Sequence, residues 1–479
     1  MQTIIVWLRR DLRLTDNAAL IAAAERGDHV IPLYIWSPDE DRPWQPGAAQ
    51  RWWLHHSLCA LDKDLADAGS RLLIRSGNSL QVLRQLAEET GAAGVFWNRL
   101  YEPAARDRDA TIKAALREDG LVCESFNASL LFEPWEVATA AGKPYRVFTP
   151  FWKSCLAAPP PRTPGARPKR LAAPPRWPDS RQVAALELLP DIPWHEGLEE
   201  SWVPGETGAW RRLDEFLDHG LGGYDDRRDY PAIEGVSRIS PHLHFGEISP
   251  HAVWQTVSSL SAAGTESGAA AYLRELGWRE FAHHVLYHFP HTTEAPLDSR
   301  FGDFPWHRGS GEPLEAWQKG RTGIPMVDAG MRQLWRTGWM HNRVRMVVAS
   351  LLVKNLRWSW LDGAEWFWDT LVDANLANNT MGWQWAAGCG ADAAPFFRIF
   401  NPVLQGQKFD PDGGYVRRYV PELRRVPPRY LHRPWEMSLS ERDKIGFRLG
   451  RDYPEPIVDL KASRQSALEA FKSLRNATT

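Results

Sequence analysis

Over residues 1–130, short apolar runs alternate with segments whose apolar positions recur every three to four residues. Thr3–Leu8 and His29–Trp36 are continuous apolar stretches of strand length and read as buried strands. Residues 71–74 and 95–97 read as two further strands, and residues 18–25, 52–68, 80–89 and 104–118 carry helical periodicity. Strands alternating with helices predict an open parallel α/β sheet of Rossmann-like type. No G-x-G-x-x-G follows the first strand, so a dinucleotide cradled in the usual way is not expected there.

The pattern then changes twice. Residues 131–205 read as an interdomain connection, and eleven prolines fall between residues 156 and 205. Proline removes backbone donors and disfavours helix in the residue before it, so this stretch is expected to be extended. From residue 206 to 479 the two-residue alternation disappears and helical periodicity takes over, most clearly over residues 210–217, 269–288 and 340–356. The C-terminal part is therefore expected to be all-helical.

Composition narrows the class. A chain of 479 residues, 43% apolar and 24% charged, has ordinary globular values and length for more than one domain. Cys59, Cys123, Cys155 and Cys389 lie too far apart for a C-x-x-C zinc pair or a disulfide framework. That fits a reducing, cytoplasmic compartment, and no metal site is expected. The start MQTIIVWLRRDLRL lacks the order of a secretory signal, and no apolar run reaches the length of about eighteen residues that a membrane span needs.

Net charge is −2, so bulk electrostatics predicts no nucleic-acid partner. Local charge differs. Between Lys319 and Arg357 stand eight basic residues (Lys319, Arg321, Arg332, Arg336, Arg343, Arg345, Lys354, Arg357) against one acid, Asp328. Trp335, Trp339, Trp358 and Trp360 are interleaved with them. Cations among aromatics suit a surface that grips phosphates and stacks bases. A solvated helix face over core aromatics fits the same pattern. The chain has 25 tryptophans against 11 tyrosines, and tryptophan can pack cores, stack on bases or give up single electrons.

In the helical part, Gly235-Val-Ser-Arg-Ile-Ser-Pro-His-Leu-His-Phe-Gly-Glu-Ile-Ser-Pro250 brings hydroxyls, amides and a guanidinium together, a set suited to a diphosphate. Alone, a Ser cap before a Pro-started helix explains it as well. Its company is more specific. Tyr224-x-x-x-Arg228-Asp-Tyr-Pro231 precedes it, and Glu275-Leu-Gly-Trp-Arg-Glu-Phe281 and Phe304-Pro-Trp306 follow. Then come Trp339-Met-His-Asn-Arg-Val-Arg-Met346, Asp373-x-x-Leu-x-x-Asn379-x-x-x-Trp-Gln-Trp385 and Phe397-Arg-Ile-Phe-Asn-Pro402. With the opening VWLRRDLRLTDNAAL, these blocks resemble the DNA photolyase/cryptochrome family from residue 3 to about 425, most of all its bacterial cyclobutane-dimer repair enzymes.

The resemblance implies FAD within the helical domain and DNA over its mouth. It assigns Tyr224, Ser237, Arg238, Ile239 and Ser240 to the flavin diphosphate and adds Tyr272 and Arg279 to the cofactor-binding set. Asn379 matches the residue facing flavin N5, where plant cryptochromes carry an acid, and so leans towards repair. Arg345 and Asp373 match a pair beside the isoalloxazine, either a structural salt bridge or a device that tunes the flavin. Val236 stands where Thr is common, which removes a hydroxyl. Asn375 stands where an acid is usual; a carboxylate only accepts hydrogen bonds, whereas an amide accepts and donates.

For the lesion, the resemblance implies contacts from Arg228, Glu275, Trp278, Asn342, Arg343, Met346 and Trp385. Glu275 and Trp278 are three apart, hence neighbours on one helical face. Trp278 and Trp385 would wall a bulky lesion, Glu275 would hydrogen-bond it, and Met346 would offer a soft apolar side. Relatives that repair (6-4) photoproducts carry His in this region, an arrangement His341 alone does not reproduce. Trp383, Trp360 and Trp306 match a relay from flavin to surface. The activity implied is light-driven repair of cyclobutane pyrimidine dimers by electron transfer from reduced FAD, carried out by a monomer on DNA. A cryptochrome-like photoreceptor is the alternative, and a non-catalytic nucleic-acid binder a second rival.

An antenna chromophore is expected on the α/β domain, methenyltetrahydrofolate ahead of a deazaflavin. In the block Trp97-Asn-Arg-Leu-Tyr-Glu-Pro-Ala-Ala-Arg-Asp107, Ala104 and Ala105 stand where folate-binding relatives have Asn and Glu. Trp44, in the loop Arg42-Pro-Trp-Gln-Pro46, is then the expected anchor by stacking, unless it is a hydrophobic plug. His284 and His288, at i and i+4 without an accompanying H-E-x-x-H acid, read as a structural pair. No G-x-S-x-G elbow or G-x-x-x-x-G-K-[ST] loop occurs.

Overall fold

The computed structural model describes residues 2–260 and 266–476. Five parallel strands, β1 (Thr3–Leu8), β2 (His29–Trp36), β3 (Leu73–Ser76), β4 (Ala92–Asn98) and β5 (Val122–Phe126), form a sheet of order β3-β2-β1-β4-β5. Central β1 is buried throughout, which is why its sequence is uninterruptedly apolar. Helices Ala18–Arg26, Ala48–Asp67, Ser79–Thr90 and Pro103–Glu118 carry the chain between strands. The α/β expectation therefore holds. The fifth strand had no apolar run to announce it: it lies at the sheet edge, and Val122 is 50% exposed.

Strand order reverses between β1 and β4, the crevice where open α/β sheets usually take a ligand. Here protein fills it. Arg9, directly after β1, pairs with Asp109 at 2.9 Å, and Asn98 donates to Asp11 (2.6 Å) and Asn17 (2.8 Å). A buried ion pair occupies the ground that a glycine-rich turn would leave to a pyrophosphate.

The proline-rich stretch is extended but not loose. Val30 N–H donates to the Ala172 carbonyl, Leu171 N–H to that of Ala68, and Arg181 N–H to that of Ile74. It thus runs along the β2–β3 side of the sheet. Short helices at Phe148–Ala157 and Glu196–Ser201 punctuate residues 131–205.

The chain forms two compact units that are not continuous in sequence. The first gathers residues up to 222, 237–290 and 372–377; the second gathers 223–236, 291–371 and 378 onward. Helix Glu266–His288 belongs to the first, packing Phe281 against Phe148 and Phe151 of Phe148–Ala157 (5.9 and 5.2 Å between ring centroids). The second is helical, with Pro325–Thr337, Asn342–Ser350, Trp360–Thr370 and Pro402–Phe409 among its longer elements. The helix expected over residues 340–356 begins later. His341 caps it, its Nδ1 accepting from Arg343 N–H at 3.2 Å, and past Ser350 it widens into a π-type turn at Leu351–Asn355.

Candidate active site

In the first unit, the segment expected to hold the flavin diphosphate enters the short helix Ser240–His244 through Arg238, whose φ of 53° is in the left-handed region. Such a backbone costs on the order of 1–3 kcal/mol in a residue with a Cβ and persists only where surroundings enforce it. Ser237 accepts a hydrogen bond from Tyr272 Oη at 3.0 Å, and burial holds the Tyr272 phenol above its ordinary range, so it stays a donor. Ser240 Oγ donates to Asp373 Oδ2 at 2.6 Å. Ile239 is buried beside them. The unit thus assembles three hydroxyls and a carboxylate around one turn. Arg279, by contrast, spends Nη1 on the Ser129 carbonyl (2.7 Å) and on Glu280 (3.2 Å).

Glu275 and Trp278 are both half-buried on helix Glu266–His288. Trp278 already has one face covered, stacked on Phe148 at 3.7 Å between centroids and 10° between planes. At most its other face and edge serve a ligand. Phe148 was not singled out in the sequence because it lies in the connection over residues 131–205, outside any motif block. Gly277 between them is dictated by packing: a Cβ there would meet Trp152 at 2.6 Å.

In the second unit, Tyr224 is buried beneath the Arg228 guanidinium, 5.2 Å from the ring centroid. Arg343 pairs with Asp229 at 2.5 Å and lies over Phe409. Asp229 sits inside the Tyr224–Pro231 block, so the sequence held both partners without showing that they meet. Asn342 is exposed at the start of its helix, Met346 half-buried one turn on, and Trp385 lies against Phe400 at 6.3 Å. Arg345 Nε donates to the Met340 carbonyl.

Asn379, buried, donates Nδ2 to the Ala364 carbonyl at 3.0 Å. A carbonyl can face only the NH2 end of an amide, so the Asn379 carbonyl is the end left for another donor. Among the relay residues Trp383 and Trp360 are buried, while Trp306 is half-buried with Nε1 on the Phe301 carbonyl.

The basic stretch from Lys319 to Arg357 is not a single surface. Trp339, Trp358 and Trp360 are core residues, and only Trp335 is exposed, stacked on Trp366. Lys354 is buried, donating to the Ala387 and Phe396 carbonyls. Lys319 pairs with Glu315 and Arg332 with Glu422. Arg321 remains exposed.

On the α/β side, Trp44 is half-buried in the loop preceding Ala48–Asp67, and Ala105 is fully buried in Pro103–Glu118. His284 and His288 are both engaged with backbone, His284 Nε2 taking Tyr145 N–H and His288 Nε2 meeting the Pro134 carbonyl.

A five-stranded parallel sheet followed by a helix-rich remainder is the architecture expected of a photolyase-type flavoprotein. Residues 4–169 match the family described as DNA photolyase, and residues 272–473 match the FAD binding domain of DNA photolyase. The chain belongs to the DNA photolyase/cryptochrome family. It is 49% identical over 476 residues to the deoxyribodipyrimidine photo-lyase of Agrobacterium fabrum, covering 99% of this chain and 98% of that one. It is 40% identical to cryptochrome-2 of Arabidopsis thaliana, over 99% of this chain and 79% of the other. The crystal structure of a bacterial class III photolyase from Agrobacterium tumefaciens superposes with a TM-score of 0.96 at 48% identity, covering 99% and 98% of the two chains. No described helix is long and apolar enough to cross a membrane.

Proposed function

We propose that the protein is a deoxyribodipyrimidine photo-lyase that splits cyclobutane pyrimidine dimers in DNA with light. The whole-length likeness to the Agrobacterium fabrum photo-lyase is the observation that carries this reading. FAD held in the helical part would supply light-driven one-electron chemistry for splitting the dimer, and this chain's residues would bind and orient it.

The residues present fit such a group. Ser237, Ser240 and Tyr272 bring hydrogen-bonding hydroxyls to the turn proposed for the diphosphate, with Arg238, Ile239 and Tyr224 in the same role. Asn379 offers a neutral carbonyl acceptor that the Ala364 bond orients, suited to an N–H at flavin N5. Arg345, Asp373, Asn375 and Arg279 complete the cofactor set. Trp383, Trp360 and Trp306 would carry an electron inward from the surface. Glu275 would hydrogen-bond the flipped dimer, with Trp278, Trp385 and Met346 excluding water around it, and Arg228, Asn342 and Arg343 would hold the flanking strand; photolyases are among the base-flipping enzymes. A methenyltetrahydrofolate antenna on Trp44 is proposed as the second chromophore, and the enzyme would act as a cytoplasmic monomer.

The second reading, a cryptochrome-like photoreceptor, is favoured by the likeness to cryptochrome-2. Lamp-dependent loss of dimers from irradiated DNA, with dark and no-enzyme controls, separates the two. Repair only in the lit sample supports the photo-lyase; a flavin-loaded protein with no repair overturns it.

A further inference from the structure

His283 and Asn375 are both buried, 4% and 7% exposed, and Asn375 Nδ2 stands 3.4 Å from His283 Nε2. The other ring nitrogen settles which of them carries a proton. His283 Nδ1 lies 2.9 Å from the Arg279 carbonyl oxygen, and a carbonyl only accepts, so Nδ1 is the protonated one. Burial, with the Arg279 and Arg10 guanidiniums nearby, pulls the imidazole down to about 3, so the ring is neutral at physiological pH. Its Nε2 is then a bare acceptor. A bare acceptor can face only the NH2 end of an amide, and the Asn375 carbonyl is turned the opposite way.

We infer that His283 is a positioning residue, selecting the flip of Asn375 that presents a carbonyl rather than an NH2 group to the edge of the flavin ring. This rests on the reading of Asn375 as a flavin contact. The flavin ring edge carries an imide N–H, a donor. A carboxylate would accept from it in either orientation, but an amide accepts in only one, and the wrong flip sets N–H against N–H. His283 removes that ambiguity. The rest of the turn is fixed locally: Asn375 N–H donates to the Asp373 carbonyl at 2.7 Å, and Asp373 holds Ser240.

The test uses the full-length, FAD-loaded protein and reads the FAD dissociation constant and the infrared bands of the flavin imide. Arginine only donates, so His283→Arg should turn the amide over, weaken FAD about three- to tenfold and shift the imide bands. Adding Asn375→Asp to that variant should restore both readouts, because a carboxylate accepts on both sides. His283→Gln keeps an acceptor and should stay within about twofold of wild type, again on the worth of one hydrogen bond. Equal losses in His283→Arg and in the double variant would overturn the inference, since packing damage alone would then explain them. Asn375→Ala with unchanged affinity and bands would instead overturn the flavin contact of Asn375, whatever His283 does.

Discussion

Gly363 lies against the indole of Trp383 so closely that a Cβ at position 363 would stand 2.2 Å from Trp383 Cη2. Real side chains do not approach so near, so position 363 has to be glycine for the indole to lie where it does. Phe367, at 5.0 Å, and Trp317, at 6.0 Å between centroids, pack the same ring. Gly363 and Phe367 belong to the helix Trp360–Thr370, which starts with Trp360. One helix therefore carries one proposed relay tryptophan and fixes the ring of another.

Trp383→Phe should abolish photoreduction of oxidised FAD by external donors, while chemically pre-reduced protein keeps its activity. Gly363→Ala should slow photoreduction without touching any indole chemically, because the added methyl displaces the ring; overpacking of this kind costs about 1–3 kcal/mol of stability. Flavin absorbance under a lamp reports both. Wild-type photoreduction rates in the two variants would take Trp383 out of the electron path.

DNA affinity should depend on some cations of the basic stretch and not on others. Each lost phosphate contact lowers the salt slope of log affinity by about 0.9 on duplex DNA. Arg321→Ala and Arg343→Ala should each produce such a change, and Arg343→Ala should cost more affinity because it leaves Asp229 as an uncompensated carboxylate near the DNA. Lys354→Met should leave the slope unchanged, since Lys354 is buried. Affinities for dimer-containing duplex at several salt concentrations decide it; an unchanged slope in Arg343→Ala would refute its contact role.

What the sequence made legible follows from what each feature depends on. β1 and β2 were readable because burial on both faces forces a continuous apolar run, whereas β5 is an edge strand with no such constraint. The motif blocks located Ser237, Tyr272, Asn379 and Trp383 but not their partners. Ala364 contributes a backbone carbonyl, which has no side-chain signature, and Gly363 only an absence of side chain. Phe148 meets Trp278 across a sequence separation that no periodicity reports. Charge counting failed for Lys354 because linear density cannot tell a surface cation from one satisfied by buried carbonyls.

Lys354 should give stability a distinct pH dependence. Burial pulls it from 10.5 down to about 7, against an opposing pull from the neighbouring Cys389. Above pH 7 the folded protein holds a neutral amine while the unfolded chain stays protonated up to 10.5, so the unfolded state binds more protons and stability rises with pH. The gain amounts to at most about 1.4 kcal/mol per pH unit. Urea unfolding at pH 7, 8 and 9 should show wild type gaining on Lys354→Met over this window. Parallel profiles would mean that Lys354 stays charged in the fold.

The antenna prediction turns on Trp44. A pterin has a hydrogen-bonding amide edge, and each group left unpaired on burial costs about 1–3 kcal/mol. Ala104 and Ala105 offer no side-chain hydrogen bond, and Ala105 is fully buried in its helix, so the Asn/Glu grip has no substitute at those two positions. Trp44 is half-buried in a loop whose Arg42 and Gln45 both bond Asp39, which gives the segment a defined shape from which an indole could stack. Protein reconstituted with methenyltetrahydrofolate should show the near-ultraviolet folate band, and Trp44→Ala should lose most of it after gel filtration while retaining FAD. Stacking of a ring on an aromatic is worth about 1–3 kcal/mol, so the folate dissociation constant should rise roughly five- to a hundredfold. Equal folate retention by the two proteins would sink the Trp44 role, and no retention by either would sink the folate antenna itself.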